Sequence, residues 1–213
     1  VIYMSSSLQE ETLDIINELN LTTVLVETKD KEESLPSVTI DNIKASHEIT
    51  NYLLNKGLSK IAFAGAKRDN MNAWGDRYIG YEEALKEKGL NVDEDLVYAG
   101  GLKVKSGYEA VNYFENSNKS YDAVVCASDE IAMGVINALR EKGKKVPEDI
   151  SVVGFNDNIM SSVFYPKLTT IKQPSYDMGS VAMRMLIKML NKRELDESQF
   201  VLNYELIERE SCK

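Results

Sequence analysis

Residues 146–190 read VPEDISVVGFNDNIMSSVFYPKLTTIKQPSYDMGSVAMRMLIKML. The apolar run Ile150–Phe155 follows Pro147 and stops at Asn156-Asp157-Asn158, the pattern of a fully buried strand with polar groups at its C-terminal end. In open parallel sheets, ligands sit beyond such strand ends. A second strand, Leu168–Lys172, ends at Gln173-Pro174. Proline holds the residue before it extended and fits the first turn of a new helix. The chain therefore turns abruptly from strand to helix at Pro174, and the same place suits a change of lobe.

Working outward, strands and helices alternate at almost every step. The pattern predicts strands at Val1–Ser5, Thr22–Glu27, Val38–Ile40, Ile61–Gly65, Leu96–Tyr98 and Ala123–Ala127. It predicts helices at Glu10–Leu19, Asp41–Lys56, Asn72–Lys88, Lys103–Phe114 and Asp129–Lys142, with a polar loop at residues 66–71. Gly57, Gly89 and Gly143 stand where helices end, as left-handed caps require. The tail Gln199–Ile207 reads as one or two strands. Such alternation argues α/β with parallel sheets. Extended stretches at 39–41, 170–173 and 201–203 fit three crossings between two intertwined parallel-sheet lobes. The expected division is 1–40 with 173–201, and 41–172 with 202–213. A cleft between two such lobes suits a small molecule.

Composition narrows the function classes. The 213 residues are 43% hydrophobic, enough for one large core or two smaller ones. No apolar run reaches the roughly 18 residues that a membrane-spanning helix needs. The formal net charge is -9, which makes this stretch itself a poor nucleic-acid binder. Two cysteines, Cys126 and Cys212, are too few for a disulfide framework, and reduced thiols fit a cytoplasmic protein. There is no P-loop, nucleophile elbow or Cys/His cluster with metal spacing, so neither an enzyme, a metal site nor a cofactor is expected. His47, the only histidine, lies off the Ala45/Ile49/Tyr52/Leu53 core face of its helix and reads as a bystander.

Some residues still carry binding chemistry. Arg77 stands in the first turns of a helix that follows a strand, where its fork of donors can hold hydroxyls or a carboxylate. Trp74 offers a flat face for a sugar ring. Ser128 and Asp129 cap a helix, and Asn156 ends the buried strand; all three suit a cleft. In the helix after Pro174, Met178, Ala182, Met185, Leu186 and Met189 form the core face. Val181, Arg184 and Lys188 form a second stripe, about 120° away, with Tyr176 and Asp177 at the helix start. An apolar and basic stripe outside the core suits an acidic or phosphorylated partner as well as it suits solvent.

Six segments in register resemble the LacI/GalR family of bacterial transcription regulators: Val38–Asn42; Gly57 with Lys60–Phe63; Arg77-x-x-Gly80-Tyr81; Ser128-Asp129-Glu130 with Ala132-Met133-Gly134; Pro147-x-Asp149 through Phe155; and Leu168–Ile171 with Gln173. The resemblance covers essentially the whole chain. It implies a periplasmic-binding-protein-like regulatory core that dimerises through the C-terminal lobe, containing 78–88 and 131–142. It implies DNA binding only through an N-terminal helix-turn-helix domain outside this chain. Two βα units are expected upstream as well, and their absence would leave a sticky strand edge at Val1–Ser5.

The stretch QPSYDMGSVAMRMLIKMLNK is similar to that of the regulators serving carbon catabolite control. There the matching helix docks HPr, a sugar-transport phosphocarrier, phosphorylated on serine. The resemblance implies that Tyr176, Asp177, Val181, Arg184 and Lys188 contact HPr, with Arg184 reaching the phosphate. Sugar-binding relatives usually carry Asp where Asn156 stands, and polar side chains where Met71 and Ala73 stand. Those departures argue against a tight small-molecule inducer. Arg77 is kept, so a sugar or sugar-phosphate effector remains an alternative, with a secreted sugar receptor behind it.

Overall fold

The computed structural model describes residues 1–66, 72–101 and 103–213. In chain order the elements are β1 (Ile2–Met4), α1 (Glu10–Glu18), β2 (Val24–Val26), β3 (Ser37–Ile40), α2 (Asn42–Asn55), β4 (Ile61–Gly65), α3 (Ala73–Glu87), β5 (Val97–Ala99), α4 (Val104–Asn116), β6 (Ala123–Cys126), α5 (Asp129–Glu141), β7 (Ser151–Asn156), β8 (Thr169–Lys172), α6 (Ser175–Leu190), β9 (Gln199–Leu202) and β10 (Glu205–Ile207). Single 3-10 turns occupy Glu94–Leu96 and Ile159–Ser162. Of the polar loop expected at 66–71, residues 67–71, Met71 among them, lie outside the described residues.

Contacts divide the chain into two units. The first holds Val1–Asp41, Gln173–Tyr204 and residues 72–73; the second holds Trp74–Lys172, Glu205–Lys213 and residues 42–66. The first unit has a parallel sheet in the order β1-β2-β3-β9. α6 lays Met178, Ala182 and Met185 on Val24, Val26 and Val38 of that sheet, with Leu186 and Met189 packed at the margin. Those helical positions recur every three or four residues, so one face is apolar and finds the sheet.

The second unit has six strands in the order β10-β8-β7-β6-β4-β5. Five are parallel and β10 alone runs antiparallel, against β8. The tail thus forms two strands in two different sheets, because Asn203 and Tyr204 interrupt the extended run between β9 and β10. Val124, Val152 and Val153 of the central strands are fully buried, as helix-covered parallel strands must be. Gly57 and Gly143 end their helices at φ of 84° and 78°, conformations in which a side chain is strained.

α4 and α5 cross almost backbone to backbone. A Cβ on Gly134 would overlap the Val104 carbonyl oxygen, and one on Gly107 would overlap that of Ile131. Neither obstacle is a side chain that can turn away, so Gly134→Ala is expected to lower stability by about 1–3 kcal/mol. Gly179, on α6, has nothing within 4 Å of such a Cβ. Gly179→Ala should instead raise stability by about 0.5–1 kcal/mol through helix propensity. Denaturant unfolding of both variants checks the pair; a Gly134→Ala protein as stable as the parent would refute the close crossing.

Candidate functional site

In the second unit, a polar set gathers at the C-terminal ends of β4, β6 and β7. Arg77, one turn into α3, is 2% exposed. Its Nε donates to Asn42 Oδ1 at 2.9 Å, and its Nη1 donates to the Ala127 carbonyl at 2.6 Å. The guanidinium lies 3.7 Å from the centre of the Phe155 ring and 5.3 Å from that of Trp74. One cation thereby joins α3 to the start of α2, to the end of β6 and to β7. Ser128 caps α5, its Oγ accepting from the Ile131 amide at 3.3 Å. Asn156, the last residue of β7, is half-buried at φ 116°. Asp157 beside it pairs with Arg209 at 2.7 Å.

Asp129, the first residue of α5, is fully buried. Its Oδ1 accepts from Thr170 Oγ1 at 2.6 Å, and its Oδ2 accepts from the Asn158 amide at 2.8 Å. It thus ties α5 to β8 and to the 3-10 turn after β7. Burial raises its pKa above the ordinary carboxylate value, although the hydrogen bonds from Thr170 and Asn158 pull the other way.

In the first unit, α6 shows solvent a mixed face. Tyr176 is 86% exposed, and Asp177 and Arg184 are also exposed. The Arg184 guanidinium has no ion-pair partner among the described residues. Lys188, one turn on, is paired with Asp196 at 2.6 Å. Between these cations and the sheet lies a cavity of about 320 Å³, lined by Val181, Met185, Leu195 and Phe200 with Arg184, Lys188, Asp196 and Glu197. The site is an apolar socket with an exposed guanidinium on its rim.

A family model of periplasmic binding protein-like domains matches residues 50–212. The chain is 65% identical to the HTH-type transcriptional regulator RegA of Clostridium saccharobutylicum, over 99% of this chain and 64% of the relative. It is 41% identical to catabolite control protein A of Streptococcus mutans, over 100% of this chain and 63% of that protein. The crystal structure of the transcription regulator CcpA of Lactococcus lactis superposes with a TM-score of 0.93 at 33% identity, covering 100% of this chain and 77% of that one. This chain belongs to the LacI family of regulators. Its fold is periplasmic-binding-protein-like, as the sequence resemblance implies. It spans about 64% of the length of the curated relatives it matches.

Against this family background, the residues singled out from sequence lie in different environments. Arg77, Trp74, Ser128, Asp129 and Asn156 come together in one unit, yet most face inward. Trp74 is 7% exposed and sits against Arg77, so its ring is a wall of that set rather than an open stacking face. Tyr176, Asp177 and Arg184 are out in solvent. Val181 is half-buried and packs against the α6 core cluster, so it lines the socket instead of standing in a separate stripe. His47 is half-buried and paired with Glu87 at 2.7 Å. Sequence reasoning missed Asn42 as the partner of Arg77, Phe155 as its ring, and Asp196 as the partner of Lys188. Helical spacing links residues three or four apart, and each of these contacts spans a longer loop or a crossing.

Asp129→Ala would leave the Thr170 hydroxyl and the Asn158 amide without their acceptor, an expected loss of about 2–4 kcal/mol. The sign of the pH effect follows from the raised pKa. Asp129 favours folding most when protonated, below its unfolded pKa, and that contribution is lost as pH rises through the folded value. Asp129→Asn should therefore cost less at neutral pH than under acidic conditions, read from urea unfolding at both. The reverse order would show that the ionised carboxylate is the favoured form.

Proposed function

We propose that this chain is the effector-binding and dimerisation core of a cytoplasmic bacterial transcription regulator in carbon catabolite control, and that α6 docks HPr phosphorylated on serine. The observation that carries this reading is Arg184, an exposed guanidinium with no ion-pair partner among the described residues, beside an apolar socket. A phosphoserine brings roughly -1.5 to -2 charges and three acceptor oxygens, which a guanidinium fork matches. The socket of Val181, Met185, Leu195 and Phe200 would take an apolar side chain presented next to the phosphate. Tyr176 and Asp177 border the same face at the first turn. The relatives named as catabolite control proteins support the class of signal.

The remaining parts of the proposal follow from the family. DNA would be read by a helix-turn-helix domain of the intact protein, in keeping with the name of the Clostridium relative. Two such heads on a dimer suit a palindromic site. The second unit supports self-association: Ile159, Val163 and Tyr165 are 83%, 67% and 77% exposed, with Met160 beside them. Contiguous apolar exposure of this kind marks interaction surfaces. Among the described residues no helix is long and apolar enough to cross a membrane. The role proposed is regulatory rather than catalytic, with no cofactor.

A second reading is a regulator that answers a sugar or sugar-phosphate. It is favoured by the polar set around Arg77, Asn42 and Asn156 at the strand ends. Titration of the intact protein with HPr and with serine-phosphorylated HPr separates the two. The first reading expects binding of the phosphorylated form alone, and at least about tenfold weaker binding by Arg184→Ala, because a charged hydrogen bond contributes about 1.5–3 kcal/mol. Equal binding of both forms, or an Arg184→Ala variant indistinguishable from the parent, would sink it. Binding of neither form, with heat on addition of a sugar phosphate that Arg77→Lys abolishes, would favour the second.

A further inference from the structure

Residues 140–145 read Arg-Glu-Lys-Gly-Lys-Lys, four cations to one carboxylate in a chain whose net charge is -9. They close α5 and begin the turn that leads into β7. Arg140 and Lys145 line a cavity of about 340 Å³ together with Ile136, Val146, Tyr165 and Pro166; Lys144 and Glu148 complete the lining. Ile136 and Pro166 are buried and Val146 is half-buried, so the apolar part of the wall is fixed. The volume falls at the small end of the range for small-molecule sites. The turns that build the cavity precede the parallel strands β7 and β8. It therefore lies at the opposite end of the sheet from the Arg77 set, and in a different unit from α6. The cations are anchored, yet keep donors to spare. Arg140 Nη2 donates to the Tyr165 carbonyl at 2.5 Å, which orients the guanidinium and leaves the rest of its fork open. Lys145 is fixed through its backbone: its amide donates to Asp149 Oδ2 at 2.7 Å, and its carbonyl accepts from the Asp149 amide at 2.9 Å. Lys144 is paired with Glu115 at 2.9 Å. Among the described residues, neither Arg140 nor Lys145 has an ion-pair partner.

We propose that this cavity is a binding site for a small phosphomonoester that carries hydroxyl groups. A phosphomonoester brings roughly -1.5 to -2 charges, which the two uncompensated cations match. The guanidinium fork takes two phosphate oxygens, and the Lys145 ammonium serves as a point charge beside it. Glu148 gives the site its preference for an organic body, because a carboxylate accepts from hydroxyl groups and repels bare phosphate. A sugar phosphate and a nucleoside monophosphate share this chemistry. A cation in the last turn also answers the negative end of a helix, which covers Arg140. It does not cover Lys145, which stands beyond the Gly143 cap. Tyr165 contributes its carbonyl, so its exposed ring stays with the apolar surface described above. The site uses none of the residues assigned to HPr or to the polar set at the strand ends, and it stands or falls independently of both readings.

The test is calorimetric titration of the intact protein with glucose 6-phosphate, with AMP and with inorganic phosphate, beside its Arg140→Gln, Lys145→Gln and Lys105→Gln variants. All three side chains are exposed, and thermal midpoints equal to the parent's confirm that folding is untouched. At least one ester is expected to bind more tightly than inorganic phosphate, and the tighter of the two identifies the source. Arg140→Gln should weaken that binding at least about tenfold, the loss of a charged hydrogen bond. Lys145→Gln should weaken it about three- to tenfold while leaving the Arg140–Tyr165 contact in place. Lys105→Gln, which removes a charge from α4, should change nothing. No saturable binding of either ester by the parent overturns the site. Inorganic phosphate bound as tightly as both esters overturns it too, since nothing would then seat the organic body. Binding undiminished in both Arg140→Gln and Lys145→Gln, but abolished by Arg77→Lys, overturns it in favour of the polar set at the strand ends.

Discussion

The guanidinium of Arg77 is the constraint around which the second unit is assembled. A buried cation needs acceptors in fixed places, because an unpaired charge at low dielectric is far too costly to keep. Asn42 and the Ala127 carbonyl supply them, and the Phe155 ring covers the flat face. To meet all three, α3 must enter at one angle to α2 and stand beside the end of β6. Gly80 makes that angle attainable, since a Cβ there would overlap the Ile43 carbonyl oxygen of α2. Ser46 then closes the joint by donating its hydroxyl to the Arg77 carbonyl at 2.5 Å. The polar set at the strand ends is therefore part of the framework as well as a candidate for ligand contact.

The same logic governs Asp129. A carboxylate at a helix start is ordinary on a surface, where the helix dipole favours it. Here it is fully buried, and each oxygen receives a donor from a different element. The result ties α5 to β8 in a way that apolar packing alone would leave free to slide. On the other side of α5, Gly134 and Gly107 let α4 approach until backbone meets backbone. α5 is thus held by hydrogen bonds at its start and by shape along its length.

α6 works under a different constraint. Its buried face is continuous with the core of the first unit, and its outer face has no such cover. Val181 sits at the boundary between them, so the floor of the socket is an extension of the core. The cations on its rim keep their long side chains in water, where they are available to exchange partners.

Periodicity and turn chemistry by themselves determined the alternating α/β plan, the buried strands read at 123–127 and 150–155, the glycine ends of the helices and the core face of α6. These are local properties: a strand repeats every two residues, a helix every 3.6, and a cap is set by its own dihedral angles. The residue types at the candidate sites were legible for the same reason, since Arg77 and Arg184 stand out as cations near helix starts and stripes. Their roles were not legible. The one cation is buried against Asn42 and Phe155, while the other is exposed, with no ion-pair partner among the described residues. Nothing in the spacing separates those cases. The antiparallel placement of β10, the inward turn of Trp74 and the capture of Lys188 by Asp196 belong to the same class. Each depends on which distant segment the fold brings near, and only the tertiary structure decides that.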